Sequence, residues 1–228
     1  MNITFPTIKS KQFSISKKST TFALTFTNTF YKSRMNLSLQ HKTALVCGST
    51  AGIGKAAAIE LAQLGANVIL LARNEVKLQE TLASLDTSQG QKHGYLIADF
   101  AQPEQLKNTL TTFLSTGKEV HILVNNTGGP AGGAIAEANI FEFTNTFQQH
   151  LVCNHILAQA VIPYMKTAGY GRIINVISTS VKQPLRNLGV SNTIRAAVAN
   201  WAKTLSIEIA AWGITVNNVL PGATDTER

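Results

Sequence analysis

The sequence predicts an α/β fold in which a doubly wound, parallel β-sheet lies between two layers of helices. Two observations lead to this prediction: short, continuously apolar runs recur along the chain from Thr43 onward, and longer amphipathic stretches separate them. Unbroken apolar runs of this length are typical of strands that are covered on both faces. Their alternation with helices implies right-handed crossovers and a three-layer α/β/α domain.

Six apolar runs mark the expected strands: TALVC at 43–47, NVILLA at 67–72, GYLIA at 94–98, HILVN at 121–125, RIINVI at 172–177 and ITVNNVL at 214–220. The expected helices are the amphipathic stretches 54–64, 75–85, 103–114, 141–165 and 191–212. Pro103 suits the first turn of its helix, and Gly65 and Gly213 stand where left-handed helix ends are expected.

The net charge of +8 would at first indicate a nucleic-acid-binding protein, but its distribution argues against this class. The first 34 residues hold six Lys or Arg and no Asp or Glu, which leaves a net charge of about +2 for residues 35–228. We therefore expect no nucleic-acid partner. The extension also contains no apolar run long enough to span a membrane, so no membrane partner is expected.

Residues 1–34 are basic and rich in Ser and Thr, which resembles an organelle transit peptide. The alternative is sequence translated upstream of a true start at Met35. In either case we expect a disordered extension at 1–34 and one folded domain over 35–228. The location expected is cytoplasmic, or an organelle if the extension is a transit peptide.

The two cysteines do not predict a disulfide or a metal site. Cys47 lies in a strand-like run and Cys153 in a helix-like one, and neither has a second Cys or His at metal-ligand spacing beside it. We expect both to be small core residues in a reducing compartment.

A glycine-rich loop follows the first expected strand, in the stretch CGSTAGIGKAAAIELA. Its glycines, Gly48, Gly52 and Gly54, let the backbone turn sharply and approach a ligand closely. The N-terminus of the helix that follows then offers unpaired N–H groups to a phosphate. The loop therefore predicts nucleotide binding, and the alternative is a tight structural turn without a ligand.

At this point the chain resembles the short-chain dehydrogenase/reductase family, from about Ser38 to its C-terminus. GSTAGIG is similar to the cofactor loop of that family, and NNTG at 125–128 to its Asn-Asn-Ala-Gly motif. GRIINVIS at 171–178 resembles the strand that leads to the catalytic serine, and NNVLPG at 217–222 the segment that passes the nicotinamide. The resemblance implies a Rossmann-like fold and hydride transfer between a nicotinamide cofactor and a carbonyl or alcohol. It assigns cofactor contacts to Gly48, Ser49, Thr50, Gly52, Ile53, Gly54, Arg73, Asp99, Phe100, Asn126, Gly128, Pro221, Gly222 and Thr224.

The end of the second expected strand predicts NADP rather than NAD as the cofactor. The free ribose hydroxyls of NAD call for a carboxylate there, whereas this chain has Ala72 and Arg73. An arginine can hold a 2′-phosphate with its planar guanidinium group. The alternative is that Arg73 is a solvated surface residue.

The catalytic residues that the resemblance implies are only partly retained. The serine of the family falls on Ser178, but its tyrosine falls on Ser191, its lysine on Arg195 and its asparagine on His150. Ser191 and Arg195 share one face of a helix, because residues i and i+4 are neighbours. An aliphatic hydroxyl is a much weaker acid than a phenol, and an arginine does not exchange its proton, so the usual relay cannot operate unchanged.

Three interpretations follow. In the first, the chain is a reductase in which Ser178, Ser191 and Arg195 stabilise the developing alkoxide. The proton then comes from water or from His150, whose ordinary pKa near 6.5 suits that role. In the second, the chain binds a dinucleotide without turnover, as a sensor or partner protein. In the third, only the fold is retained, and Ser191 caps its helix.

The resemblance also implies a substrate class and a missing C-terminal part. In the family, a further helix pair and a seventh strand follow the segment that corresponds to 217–222, so we expect a domain truncated at its C-terminus. The substrate expected is a small molecule or an acyl-carrier thioester, as for a 3-oxoacyl-carrier reductase. The oligomeric state stays open, with a homo-oligomer among the outcomes.

Overall fold

The computed structural model describes residues 36–226, so the extension predicted at 1–34 lies outside the described residues. Six parallel strands form one sheet in the order β3-β2-β1-β4-β5-β6. Their bounds are β1 Thr43–Cys47, β2 Asn67–Ala72, β3 Gly94–Ile97, β4 Ile122–Asn125, β5 Gly171–Val176 and β6 Ile214–Val219. The strand order reverses direction between β1 and β4, and a crevice is expected at the carboxyl ends of these two strands. Within residues 36–226 the sheet ends at β6.

Helices cover both faces of the sheet, which confirms the predicted fold class. They are α1 Gly52–Gln63, α2 Glu75–Ala83, α3 Pro103–Ser115, α4 Ile140–Phe147, α5 Cys153–Ala168 and α6 Gly189–Ile209. The buried residues of α1 and α2 pack with one face of the central strands. Those of α3, α5 and α6 pack with the other face, where both cysteines are buried as free thiols.

The predicted helix at 141–165 is interrupted, which the sequence pattern did not indicate. A π-helical turn at Gln148–Val152 separates α4 from α5, and α5 continues to Ala168, where Gly169 adopts a left-handed conformation. Helix α6 begins at Gly189, two residues earlier than predicted. No helix among residues 36–226 is long and apolar enough to cross a membrane, and the cellular locations given above stay predictions.

A row of asparagines joins the carboxyl ends of three strands. Asn125 of β4 donates its side-chain amide to Asn175 of β5 at 2.8 Å, and Asn175 donates to Asn218 of β6 at 3.0 Å. All three residues lie in register on the same face of the sheet. This row fixes the strand ends that carry the loops described below, because each amide ties one strand to the next.

Helix α1 lies unusually close to the loop that follows β1. A Cβ atom on Gly54 would overlap the carbonyl oxygen of Gly48 and lie 2.7 Å from Nδ2 of Asn126. Gly48 itself has a φ of +57°, which a residue with a side chain adopts only at a cost. The glycines are therefore required by packing within the chain, whether or not a ligand is bound.

We predict that Gly54→Ala lowers the free energy of unfolding by at least about 2 kcal/mol, because the new methyl group meets the backbone of Gly48 rather than the end of a flexible side chain. Gly128→Ala is the matched control, since a Cβ there meets no atom within 4 Å. Denaturant unfolding of the full chain measures both variants. Equal stabilities of the two variants would contradict the packing argument.

Candidate active site

A crevice at the carboxyl ends of the strands consists of two adjoining cavities, of about 350 and 390 Å³. Asn126, Thr127 and Gly129, which follow β4, line both of them. The predicted residues that line the first cavity are Gly48, Thr50, Arg73, Asp99, Phe100, Asn126 and Gly128. Those that line the second are Ile53, Asn126, Ser178, Ser191, Arg195, Pro221, Gly222 and Thr224.

The wall between β1 and β4 is held by the side chain of Asn126. Its amide donates to the carbonyl oxygens of Cys47 at 3.3 Å and Gly48 at 3.2 Å. Ser49 is fully buried, and its Oγ accepts a hydrogen bond from the backbone N–H of Leu71 at 3.1 Å. The side chain of Ser49 therefore supports the loop from behind, and it does not line either cavity.

The first turn of α1 has the properties of an anion site. Ala51 precedes the helix and has no side chain that could accept a hydrogen bond from the N–H groups of that turn. Those N–H groups carry the positive end of the helix dipole. Gly52 opens the helix with a φ of +51°, and Ile53 faces the second cavity. These features fit the diphosphate of a dinucleotide.

The part of the first cavity beside the ends of β2 and β3 carries one cationic and one anionic side chain. Arg73 is exposed there, at the end of β2. Asp99 follows β3 and accepts a hydrogen bond from the backbone N–H of Ala101 at 2.9 Å. Phe100 is buried in the core, and its carbonyl oxygen accepts the thiol proton of Cys153 at 3.3 Å. Arg73 and Asp99 thus both line the first cavity.

Two serines line the second cavity, and the hydroxyl of each accepts one N–H group. Oγ of Ser178 accepts from the backbone N–H of Ser180 at 3.1 Å. Oγ of Ser191 accepts from Nε of Arg195 at 3.2 Å, one helical turn along α6. Both hydroxyls remain able to donate their own proton to an oxygen in the cavity. Because Leu188 is the capping residue of α6, the interpretation of Ser191 as a helix cap is wrong.

The guanidinium group of Arg195 also ties α6 to the end of β5. Its Nη1 donates to the carbonyl oxygens of Val176 at 3.1 Å and Ile177 at 3.0 Å. The residue is 7% exposed, so its charge acts in surroundings that screen it poorly. Arg195 therefore fixes the position of Ser191 relative to Ser178.

His150 lies in the π-helical turn and is 4% exposed. Burial, followed by the nearby charge of Arg195, lowers the pKa of His150 to about 4, although a backbone hydrogen bond with Gly128 opposes this. The imidazole is consequently neutral at pH 7. The expectation that its ordinary pKa suits proton donation does not hold in the folded chain, and His150 is not among the described residues that line the two cavities.

Several lining residues were not predicted from the sequence. They include Thr127, Gly129, Pro130, Gln149, Leu185 and Leu188. Five of these six belong to the loops that follow β4 and precede α6. A signal was available for these loops, because in a parallel sheet the segments after the strands surround the ligand crevice.

Comparison with known proteins agrees with this geometry. Residues 42–228 match the family described as short chain dehydrogenase. The 3-oxoacyl-[acyl-carrier-protein] reductase of Haemophilus influenzae is 35% identical over 191 residues, which cover 83% of this chain and 76% of that protein. An NADPH-dependent aldehyde reductase-like protein of Arabidopsis thaliana, described as chloroplastic, is 31% identical over 203 residues, which cover 84% and 75%.

Among solved structures, L-sorbose reductase of Gluconobacter frateurii, crystallised with NADPH and L-sorbose, superimposes with a TM-score of 0.79. The two sequences are 31% identical, and the match covers 84% of this chain and 73% of that one. The family match extends over most of the chain and includes both cavities. The chain is an NAD(P)-dependent oxidoreductase, and it belongs to the short-chain dehydrogenase family.

Proposed function

We propose that this chain uses NADP to interconvert a carbonyl group and an alcohol, with Ser178 and Ser191 as hydrogen-bond donors to the substrate oxygen. One observation carries the proposal: both hydroxyls line the same cavity, and each of them already accepts an N–H group. The relatives named as reductases of 3-oxoacyl thioesters, aldehydes and a ketose support this reaction class. Both an acyl-carrier thioester and a small carbonyl compound could be substrates of this reaction class.

The residues that would hold the cofactor follow from the first cavity and the first turn of α1. The N–H groups from Gly52 to Gly54 would bind the diphosphate, and Asp99 would contact the adenine end. Arg73 would bind the 2′-phosphate, and β2 ends without a carboxylate that would repel it. When bound, the reduced nicotinamide supplies the hydride. Relatives named as NADPH-dependent support the choice of NADP.

The two serines would stabilise negative charge that develops on the substrate oxygen. Preorganised donors of this kind contribute about 3–4 kcal/mol each to transition-state stabilisation. Arg195 strengthens the donation from Ser191, because its Nε–H withdraws electron density from the hydroxyl that it contacts. Its bonds to Val176 and Ile177 hold this arrangement before the substrate arrives.

Proton delivery would differ from the relay that a tyrosine and a lysine perform. A serine hydroxyl and a guanidinium group are both too weakly acidic to lose a proton at neutral pH. The pKa of His150, lowered to about 4, leaves it neutral there. The proton on the product oxygen would thus come from water in the open cavity, with Ser178 and Ser191 orienting that oxygen.

We predict that Ser178→Ala and Ser191→Ala each lower kcat about 100- to 1,000-fold, with a smaller change in KM, because each variant loses one donor to the transition state. The assay follows NADPH consumption by the full chain with a panel of aldehydes, ketones and 3-oxoacyl thioesters. Ser206→Ala is the control, because this hydroxyl donates to the backbone carbonyl oxygen of Lys203 on α6 and lies outside both cavities. An unchanged kcat in either serine variant would contradict the proposed role of that residue.

We also predict a pH dependence of stability that originates in His150. Its pKa is about 4 when folded and about 6.5 when unfolded, so the unfolded chain binds more protons between these values. Stability therefore falls as the pH drops from 7 to 5, by about 2 kcal/mol from this residue.

His150→Asn should remove this part of the pH dependence, as measured by denaturant unfolding at pH 7 and pH 5. His41→Asn is the matched control, because His41 is exposed and has a φ of +64°, a conformation that asparagine tolerates. If His150→Asn and the unaltered chain lose the same stability over this range, the inference of a buried neutral imidazole is incorrect.

A further inference from the structure

One part of the lining of the second cavity is apolar and forms what we call its apolar wall, while Asn126 and several threonines line other parts of the cavity. Leu185 and Leu188 precede α6, Pro130 follows β4, and all three line the cavity that contains Ser178 and Ser191. Among the described residues that line this cavity, Arg195 is the one charged side chain, and it donates to backbone carbonyls and to Ser191. Leu185 lines the cavity and is 45% exposed, so part of its side chain is open to a ligand.

This wall is held together by backbone contacts between its two loops. The N–H of Gly133 donates to the carbonyl oxygen of Asn187 at 2.8 Å. The N–H of Gly189 donates to the carbonyl oxygen of Gly133 at 3.3 Å. These bonds pair Gly133 with Leu188 as an isolated parallel bridge. The side-chain amide of Asn192 on α6 donates to the carbonyl oxygen of Leu185 at 2.8 Å. The backbone that carries Leu185 and Leu188 is therefore tied to α6 and to the segment that follows Pro130.

Close packing along the bridge indicates that the wall has one preferred conformation. A Cβ on Gly189 would overlap the side chain of Ile135 and lie 2.7 Å from its Cα. A Cβ on Gly132 would lie 3.0 Å from the carbonyl oxygen of Asn187. Asn187 has a φ of +58°, a conformation that asparagine tolerates better than most residues with a side chain. A surface held in this way is preorganised for a ligand.

We propose that Leu185, Leu188 and Pro130 bind an apolar substituent of the substrate carbonyl, so that the chain prefers ketones and aldehydes with an aliphatic or aromatic tail over polyhydroxy ketones. This inference rests on the proposed function, because it takes Ser178 and Ser191 to hold the carbonyl oxygen. A polyol would leave several hydroxyl groups facing leucine and proline, which cannot pair with them. An alkyl chain would cover the exposed part of Leu185 instead.

The test is ligand-observed NMR titration of the full chain with 2-butanone, 2-hexanone, 2-octanone and fructose, with and without NADP⁺. We expect the dissociation constant to fall with chain length, by at most about fourfold per methylene group. Fructose should bind more weakly than 2-hexanone. A dissociation constant that is independent of chain length, or tighter binding of fructose, would overturn the inference.

Leu185→Ser and Leu188→Ser should weaken 2-octanone binding while leaving 2-butanone nearly unchanged. Leu188→Ser is suited to this test, because a serine at the capping position of α6 favours the helix and preserves the fold. Ile207→Ser is the control, since Ile207 is 75% exposed on α6 and lies outside the cavity. An unchanged dependence on chain length in both leucine variants would overturn the assignment.

The outcome separates this inference from the proposed function. If the chain reduced carbonyl compounds with NADPH but bound ketones of all chain lengths equally well, the role of the apolar wall would be overturned and the proposed reaction would stand. A clear dependence of binding on chain length, without turnover of any carbonyl compound, would overturn the proposed reaction and support the wall.

Discussion

The close approach of α1 to the loop after β1 is the constraint on which the rest of the structure depends. Gly54 packs directly against the carbonyl group of Gly48, and Asn126 bridges from β4 to the same loop. This contact sets the first turn of the helix at the point where the strand order reverses. The loops of β1 and β4 are thereby joined, and the crevice between them has a fixed width.

The chemistry of the second cavity depends on two hydroxyl groups and on the backbone that holds them. Ser178 is oriented by the N–H of Ser180, and Ser191 by Arg195, which is itself anchored to the end of β5. This arrangement can stabilise charge on an oxygen but has no group that loses a proton easily near pH 7. In the proposed reaction, the two serines therefore hydrogen-bond the substrate oxygen, and water supplies the proton.

The sequence was sufficient to predict a doubly wound parallel sheet, because its strands are continuous apolar runs that alternate with helices. The π-helical turn at Gln148–Val152 escaped prediction, since its residues continue the helical pattern of their neighbours. The burial of Ser49 and the low pKa of His150 depend on packing against distant segments. The bridge between Gly133 and Leu188 is likewise formed by backbone atoms far apart in the sequence, which no local pattern reports.

The most direct test of the account is titration of the full chain with NADPH and NADH, followed by the fluorescence of the reduced nicotinamide. We expect both dinucleotides to bind saturably, with NADPH at least about tenfold tighter than NADH, a difference of about 1.4 kcal/mol. Arg73→Glu should abolish that preference, whereas Lys92→Glu, an exposed substitution outside both cavities, should preserve it. If neither NADPH nor NADH bound saturably, the assignment of the crevice as a dinucleotide site would be wrong.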